Sequence, residues 1–96
     1  MKMFFIVYSW GIDEEVIDAL AKSGVNAYTK WTKVMGCGSE TEPKLGSQIW
    51  PGENDVLTVV VNNEDAFKVK AVTQNLRKQH PRAGIRCFIL PVEEMI

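Results

Sequence analysis

Cys37 sits between Gly36 and Gly38, and a thiol in so open a turn suggests nucleophilic attack or metal ligation. Both chemistries need a second group. His80 is the chain's only histidine and lies far along the sequence, before Pro81, so neither a base nor a co-ligand stands near the thiol locally. A Cys37 and His80 metal site would need ligands multiplied by symmetry. Its plainer reading places His80 at a partly exposed helix end. Gly36 and Gly38 permit positive φ and close approach of a ligand to backbone amides, although a plain turn or bulge uses the same residues. Arg82 and Arg86 bracket Ala83 and Gly84, a basic turn able to hold an anion through guanidinium and backbone contacts, with surface solvation as the alternative. Glu40, Glu42, Glu53 and Asp55 show no paired acid and base spacing and read as solvating groups. Cys87, inside an apolar run, reads as a small core residue.

The elements that must carry these residues follow from periodicity. "MFFIVY", Met3 to Tyr8, is aromatic and β-branched and reads as a strand ending at the turn "SWG". Ile12, Val16, Ile17, Leu20 and Ala21 then fall on one helical stripe. Asp13, Glu14 and Glu15 suit the positive helix start, Lys22 the end, and Gly24 the position just past it. "NAYTKWTKV", Asn26 to Val34, favours a second strand with Lys30 and Lys33 on a wetter face. "VLTVVV", Val56 to Val61, gives a third strand. Asn62 and Asn63 cap a second helix whose stripe includes Ala66, Val69, Val72, Thr73 and Leu76, ended by "KQHPRAG". "IRCFILPV", Ile85 to Val92, is a fourth strand. The order βαββαβ predicts an α+β, ferredoxin-like domain with one four-stranded antiparallel sheet.

The segment Met35 to Asn54, "MGCGSETEPKLGSQIWPGEN", separates the second and third strands and has no apolar period. Connections longer than about 12 to 15 residues are uncommon in compact domains and are mostly functional or disordered. Leu45, Ile49 and Trp50 would be costly to leave in water and read as anchors for packing or for a partner, beside Pro51, Gly52 and Glu53.

Two helices cover only one face of such a sheet, so strands facing water on the other should alternate with polar residues. They do not: Phe4 to Val7, Val59 to Val61 and Cys87 to Leu90 are unbroken apolar runs. A self-associating surface is the simplest remedy, and a monomer whose long loop folds over the open face is the alternative. With 96 residues the chain makes a single domain spanning 1–96. Hydrophobic content of 46%, charged content of 24% and net charge of -1 exclude a disordered chain or a nucleic-acid-coating one. The apolar runs fall far short of the roughly 20 residues that cross a bilayer, and no small-residue cleavage site follows the first of them. A cytoplasmic chain with reduced thiols is expected.

With that element order, the helix ending "ALAKSGVNAYT", the "MGCG" after strand two, the long loop and the finish "GIRCFILPVEEMI" together resemble the nitrogen-regulatory PII-like signalling proteins. The resemblance runs over nearly the whole chain. "KLGSQIWPGENDVL" looks most like a divergent branch often encoded beside heavy-metal efflux transporters. The resemblance implies a non-enzymatic regulator and a compact homotrimer whose sheets face a three-fold axis. It also implies that the long loop is the T-loop, which touches a target such as a membrane transporter. A small effector, in PII proteins an adenine nucleotide, would lie in the clefts between subunits. Carried over, its contacts are Gly36, Cys37 and Gly38 at the loop base and Arg82, Gly84 and Arg86 at the turn before the last strand. An effector that contacts the loop base in one conformation only would shift the loop's population toward it.

The chain also departs from the family. Its turn reads "PRAGIRC" in place of a glycine-rich turn with a lysine, and Glu93 to Ile96 carry no basic extension for nucleotide phosphates. Trp50 is the loop's only aromatic residue, so regulation by tyrosine uridylylation is not expected. Two other readings remain open. "IWPGENDVL" and "QHP" resemble a CutA-like divalent-cation tolerance trimer, for which metal binding would speak. An acylphosphatase-like enzyme would need an arginine in "YSWGID", which has none.

Overall fold

The computed structural model describes residues 1–37 and 52–96. Four strands form one antiparallel sheet in the order β2-β3-β1-β4: β1 is Lys2–Ser9, β2 Thr29–Val34, β3 Asn54–Val61 and β4 Arg86–Pro91. A 3-10 turn over Trp10–Ile12 leads into α1, Asp13–Lys22, and α2 spans Asn63–Gln79. This is the expected α+β, ferredoxin-like order, with the long connection between β2 and β3. Among the described residues no helix is long and apolar enough to cross a membrane.

Local chemistry explains the helix ends. Three acidic side chains occupy the first turn of α1 and Lys22 its last, each favourable to the helix dipole. Gly24 takes φ +86, the left-handed conformation that ends a helix with little penalty only for glycine. Asn62 stands at the N-cap of α2, but its side chain makes no capping hydrogen bond; its carbonyl accepts from the N–H groups of Asp65 and Ala66 instead. His80 ends α2 with its N–H donating to the Leu76 carbonyl.

Cross-strand register sorts the side chains of β1 onto two faces. Phe4, Ile6 and Tyr8 point under the helices and join Leu57 and Val59, Val16 and Leu20, Val69 and Leu76, and Ala83 and Ile85 in one core. Each fully buried aliphatic or aromatic side chain contributes about 1.5–3 kcal/mol, so this face holds the fold together. The stripes predicted for both helices pack here except Ala21, which is exposed while Ala19 packs against the core, and Thr73 donates to the Val69 carbonyl at 2.8 Å inside α2. Cys87 packs against this core, as a small core residue should, and burial pushes its thiol pKa up to about 11 against a hydrogen bond with Thr73.

The opposite face carries Met3, Phe5, Val7, Val56, Val60, Phe88 and Leu90 in register, with Trp31 opposite Val56. Phe88 is 56% exposed and Trp31 49%. The Phe5 ring lies between them, 6.4 Å from each centroid to centroid, so an aromatic row crosses the sheet with none of the described helices over it.

β2 begins at Thr29, later than its composition suggests, and it is irregular. Trp31 faces Val56 and Val34 faces Asn54, so three steps on β2 match two on β3. The surplus residue makes a bulge, at which Lys33 takes φ +59. Beyond it the strands close tightly: a Cβ on Gly36 would meet the Asn54 side-chain nitrogen at 3.0 Å. Gly36→Ala should therefore cost about 1–3 kcal/mol by overpacking, and the cost should largely disappear in an Asn54→Ala background. Denaturant unfolding of the two single variants and the double variant measures the coupling.

Candidate functional site

Antiparallel pairing brings three connections to one end of the sheet. β1 ends there at Ser9, β2 ends there at Val34, β3 starts there at Asn54 and β4 starts there at Arg86. Backbone bonds tie the connections together: the Ser9 N–H donates to the Ala83 carbonyl at 2.9 Å and the Trp10 N–H to the Glu53 carbonyl at 3.1 Å. The turn after β1 thus fixes both the end of the long connection and the turn before β4. Ala83 and Ile85 anchor that latter turn in the core, while Gly84 takes φ +66 and Arg82 is exposed. Trp10, which the sequence reading did not single out, stands 60% exposed at this end.

The candidate residues fall into two groups at this end. Gly36 and exposed Cys37 leave from the β2 edge, whereas Arg82, Gly84 and Arg86 approach the β4 edge. β3 and β1 lie between them, three inter-strand spacings or about 14 Å. One chain keeps the two groups apart on opposite edges. Gly52 and Glu53 lie where the connection returns to β3; Gly38, Leu45, Ile49, Trp50 and Pro51 lie outside the described residues.

Under the helix side of the same end lies a polar cluster that the motif reading missed. Tyr8, fully buried, donates its hydroxyl hydrogen bond to Asp13 Oδ1 at 2.6 Å, and Lys30 Nζ bonds Asp13 Oδ2 at 2.9 Å. Asp55, opposite Tyr8 in register, is only 5% exposed. That corrects the expectation that Asp55 keeps the loop in water. Lys30 is exposed, as its assignment to a wetter face expects, and from there reaches across to Asp13 at the start of α1.

The charges in the cluster pull in opposite directions. Burial and the neighbouring Asp13 carboxylate raise the Asp55 pKa above the usual carboxylate range, against Lys30 and the Lys33 backbone N–H. Burial also acts to raise Asp13, but the Tyr8 and Lys30 hydrogen bonds and the Lys30 charge outweigh it and hold it low. The hydrogen bond with Asp13 raises Lys30, and burial followed by that bond raises Tyr8. A period-2 signal was available: Asp55 alternates with Leu57 and Val59 on the buried face of β3. Among the described residues no three histidine, cysteine or acidic side chains gather as a metal site.

No curated protein matches the chain. Among solved structures, CPII from Thiomonas intermedia K12, bound to ADP and bicarbonate, superposes with a TM-score of 0.75 at 19% identity, covering 93% of this chain and 82% of that one. CPII bound to ADP, AMP and acetate gives 0.70 at 18% identity, covering 97% and 88%. A PII-like signalling protein from Thermus thermophilus gives 0.66 at 22% identity, covering 95% and 85%. These likenesses confirm the fold. The family model for nitrogen regulatory protein P-II matches residues 1–96, and the chain therefore belongs to the P-II family.

Proposed function

We propose that this protein is a non-enzymatic PII-type regulator that works as a homotrimer, takes a small effector between subunits and offers the 35–54 connection to a target protein. The observation that carries the reading is positional. The loop-base residues Gly36 and Cys37 and the basic turn of Arg82, Gly84 and Arg86 stand at the same end of the sheet but on opposite edges. A neighbouring subunit is what would bring one group against the other. The aromatic row of Trp31, Phe5 and Phe88, which no described element covers, supplies an apolar surface for that association.

An adenine nucleotide is the effector class we favour. The basic turn suits a phosphate, since the Arg82 guanidinium offers paired donors and the backbone at Gly84 bends through positive φ. The CPII structures, bound to ADP with AMP or bicarbonate, place such ligands on the same fold. Gly38 would complete the loop side of the cleft. Leu45, Ile49, Trp50, Pro51, Gly52 and Glu53 would form the contact with the target, for which we propose a membrane transporter, with the regulator itself on the cytoplasmic side.

Native mass spectrometry with ADP, AMP and zinc offered separately tests the reading. A trimer taking up to three nucleotides is expected; a monomer, or a trimer that takes only zinc, would overturn it. Arg82→Ala should weaken ADP binding about 10- to 100-fold, the worth of one charge-assisted hydrogen bond, with the trimer mass unchanged. Phe88→Asp should dissociate the assembly and abolish nucleotide binding together, measured by sedimentation and calorimetry.

A further inference from the structure

The arginine turn and the glycine exit stand on opposite edges of the sheet, and one short turn between them touches both sides. Ser9 closes β1 in extended geometry, φ -64 and ψ 135. Successive N–H groups of an extended chain point to opposite sides, so two adjacent amides here reach two different neighbours. The Ser9 N–H donates to the Ala83 carbonyl at 2.9 Å, on the β4 side, and the Trp10 N–H to the Glu53 carbonyl at 3.1 Å, on the β3 side. Both are ordinary amide hydrogen-bond lengths.

Each acceptor belongs to a rigid peptide plane that carries the motion onward. The Ala83 carbonyl shares its plane with the N–H of Gly84, which turns the chain at φ +66. The Glu53 carbonyl shares its plane with the N–H of Asn54, the first residue of β3. Asn54 in turn reaches the exit strand, since a Cβ on Gly36 would meet its side-chain nitrogen at 3.0 Å. Its side-chain oxygen is buried with no hydrogen-bond partner among the described residues. A buried acceptor left unpaired is costly, so Asn54 is the joint in this row that gains from moving.

We propose that the turn after β1 is a lever between the two edges: a shift of the arginine turn passes through the Ser9 and Trp10 amides to the Glu53 and Asn54 peptide, and from Asn54 to Gly36. The lever is built within one chain and does not rest on the effector reading. Whatever draws on Arg82 or Gly84 then changes the footing of the long connection, at its exit and at its return, without touching it.

Coupling of this kind is shown by a contact whose removal separates the two ends. Proline at position 10 takes away that N–H. Ser9 already has the φ and ψ that a residue before proline adopts, and the first position of a helical turn accepts proline's fixed φ. Trp10→Ala is the control, because it removes the indole and keeps the N–H. Gly84→Ala supplies the push, since alanine is strained at φ +66. In the amide spectrum of the isotope-labelled full chain, Gly84→Ala should shift the Asn54 and Gly36 signals. The shifts should persist when Trp10→Ala is added and be lost when Trp10→Pro is added. Signals that ignore Gly84→Ala, or that answer it equally in the Trp10→Pro background, would overturn the lever. Hydrogen exchange of the unsubstituted protein decides the matter even if a variant fails to fold. The Ser9 and Trp10 amides should open together, with one free energy and one denaturant dependence, whereas separate openings would also sink the proposal.

Discussion

Two helices can shield only one side of a four-stranded sheet, and that constraint governs the molecule. On the shielded side, Phe4, Ile6, Tyr8, Leu57 and Val59 meet the inner stripes of α1 and α2 and form the core. On the other side, the strands present Phe5, Phe88, Leu90 and Trp31 with no element of the described chain above them. The apolar surface that the described residues leave open is too continuous to be incidental, since scattered single residues are what an ordinary surface shows.

The core is not apolar throughout. At the end where the connections gather, Tyr8 brings a hydroxyl and β3 a carboxyl group beneath the first turn of α1. Buried polar groups persist when partners satisfy them, and Asp13 meets that condition through Tyr8 and Lys30. Lys30 also joins the edge strand β2 to α1, a long-range tie for a strand otherwise held by a single neighbour. The polar cluster thus ties the strands to the helix layer at the end where the long connection leaves and returns.

Much of this was legible in the amino-acid sequence. Element order, both helix stripes, the role of Gly24 and the failure of the strands to alternate can all be read from local patterns of period 2 and 3.6. The bulge at Lys33 and the late start of β2 cannot, because they are settled by pairing with β3 across a long separation. Asp55 was misread for a related reason. It neighbours Glu53 and Asn54 in a polar stretch, and only its register opposite Tyr8 places it under α1. Gly36 was singled out for its freedom of φ, whereas the structure gives it a different task, leaving room for the Asn54 side chain.

In an assembly of the kind proposed, the placement of the glycine exit and the arginine turn on opposite edges would also govern stoichiometry. A contact that uses both edges is head-to-tail, never a patch meeting its own copy. In an open chain of subunits built this way, one terminal glycine exit and one terminal arginine turn go unmatched. A closed ring matches every one, so its complete clefts equal its subunits in number, and the loss of a single subunit would cost the remainder two clefts and leave one half at each broken end.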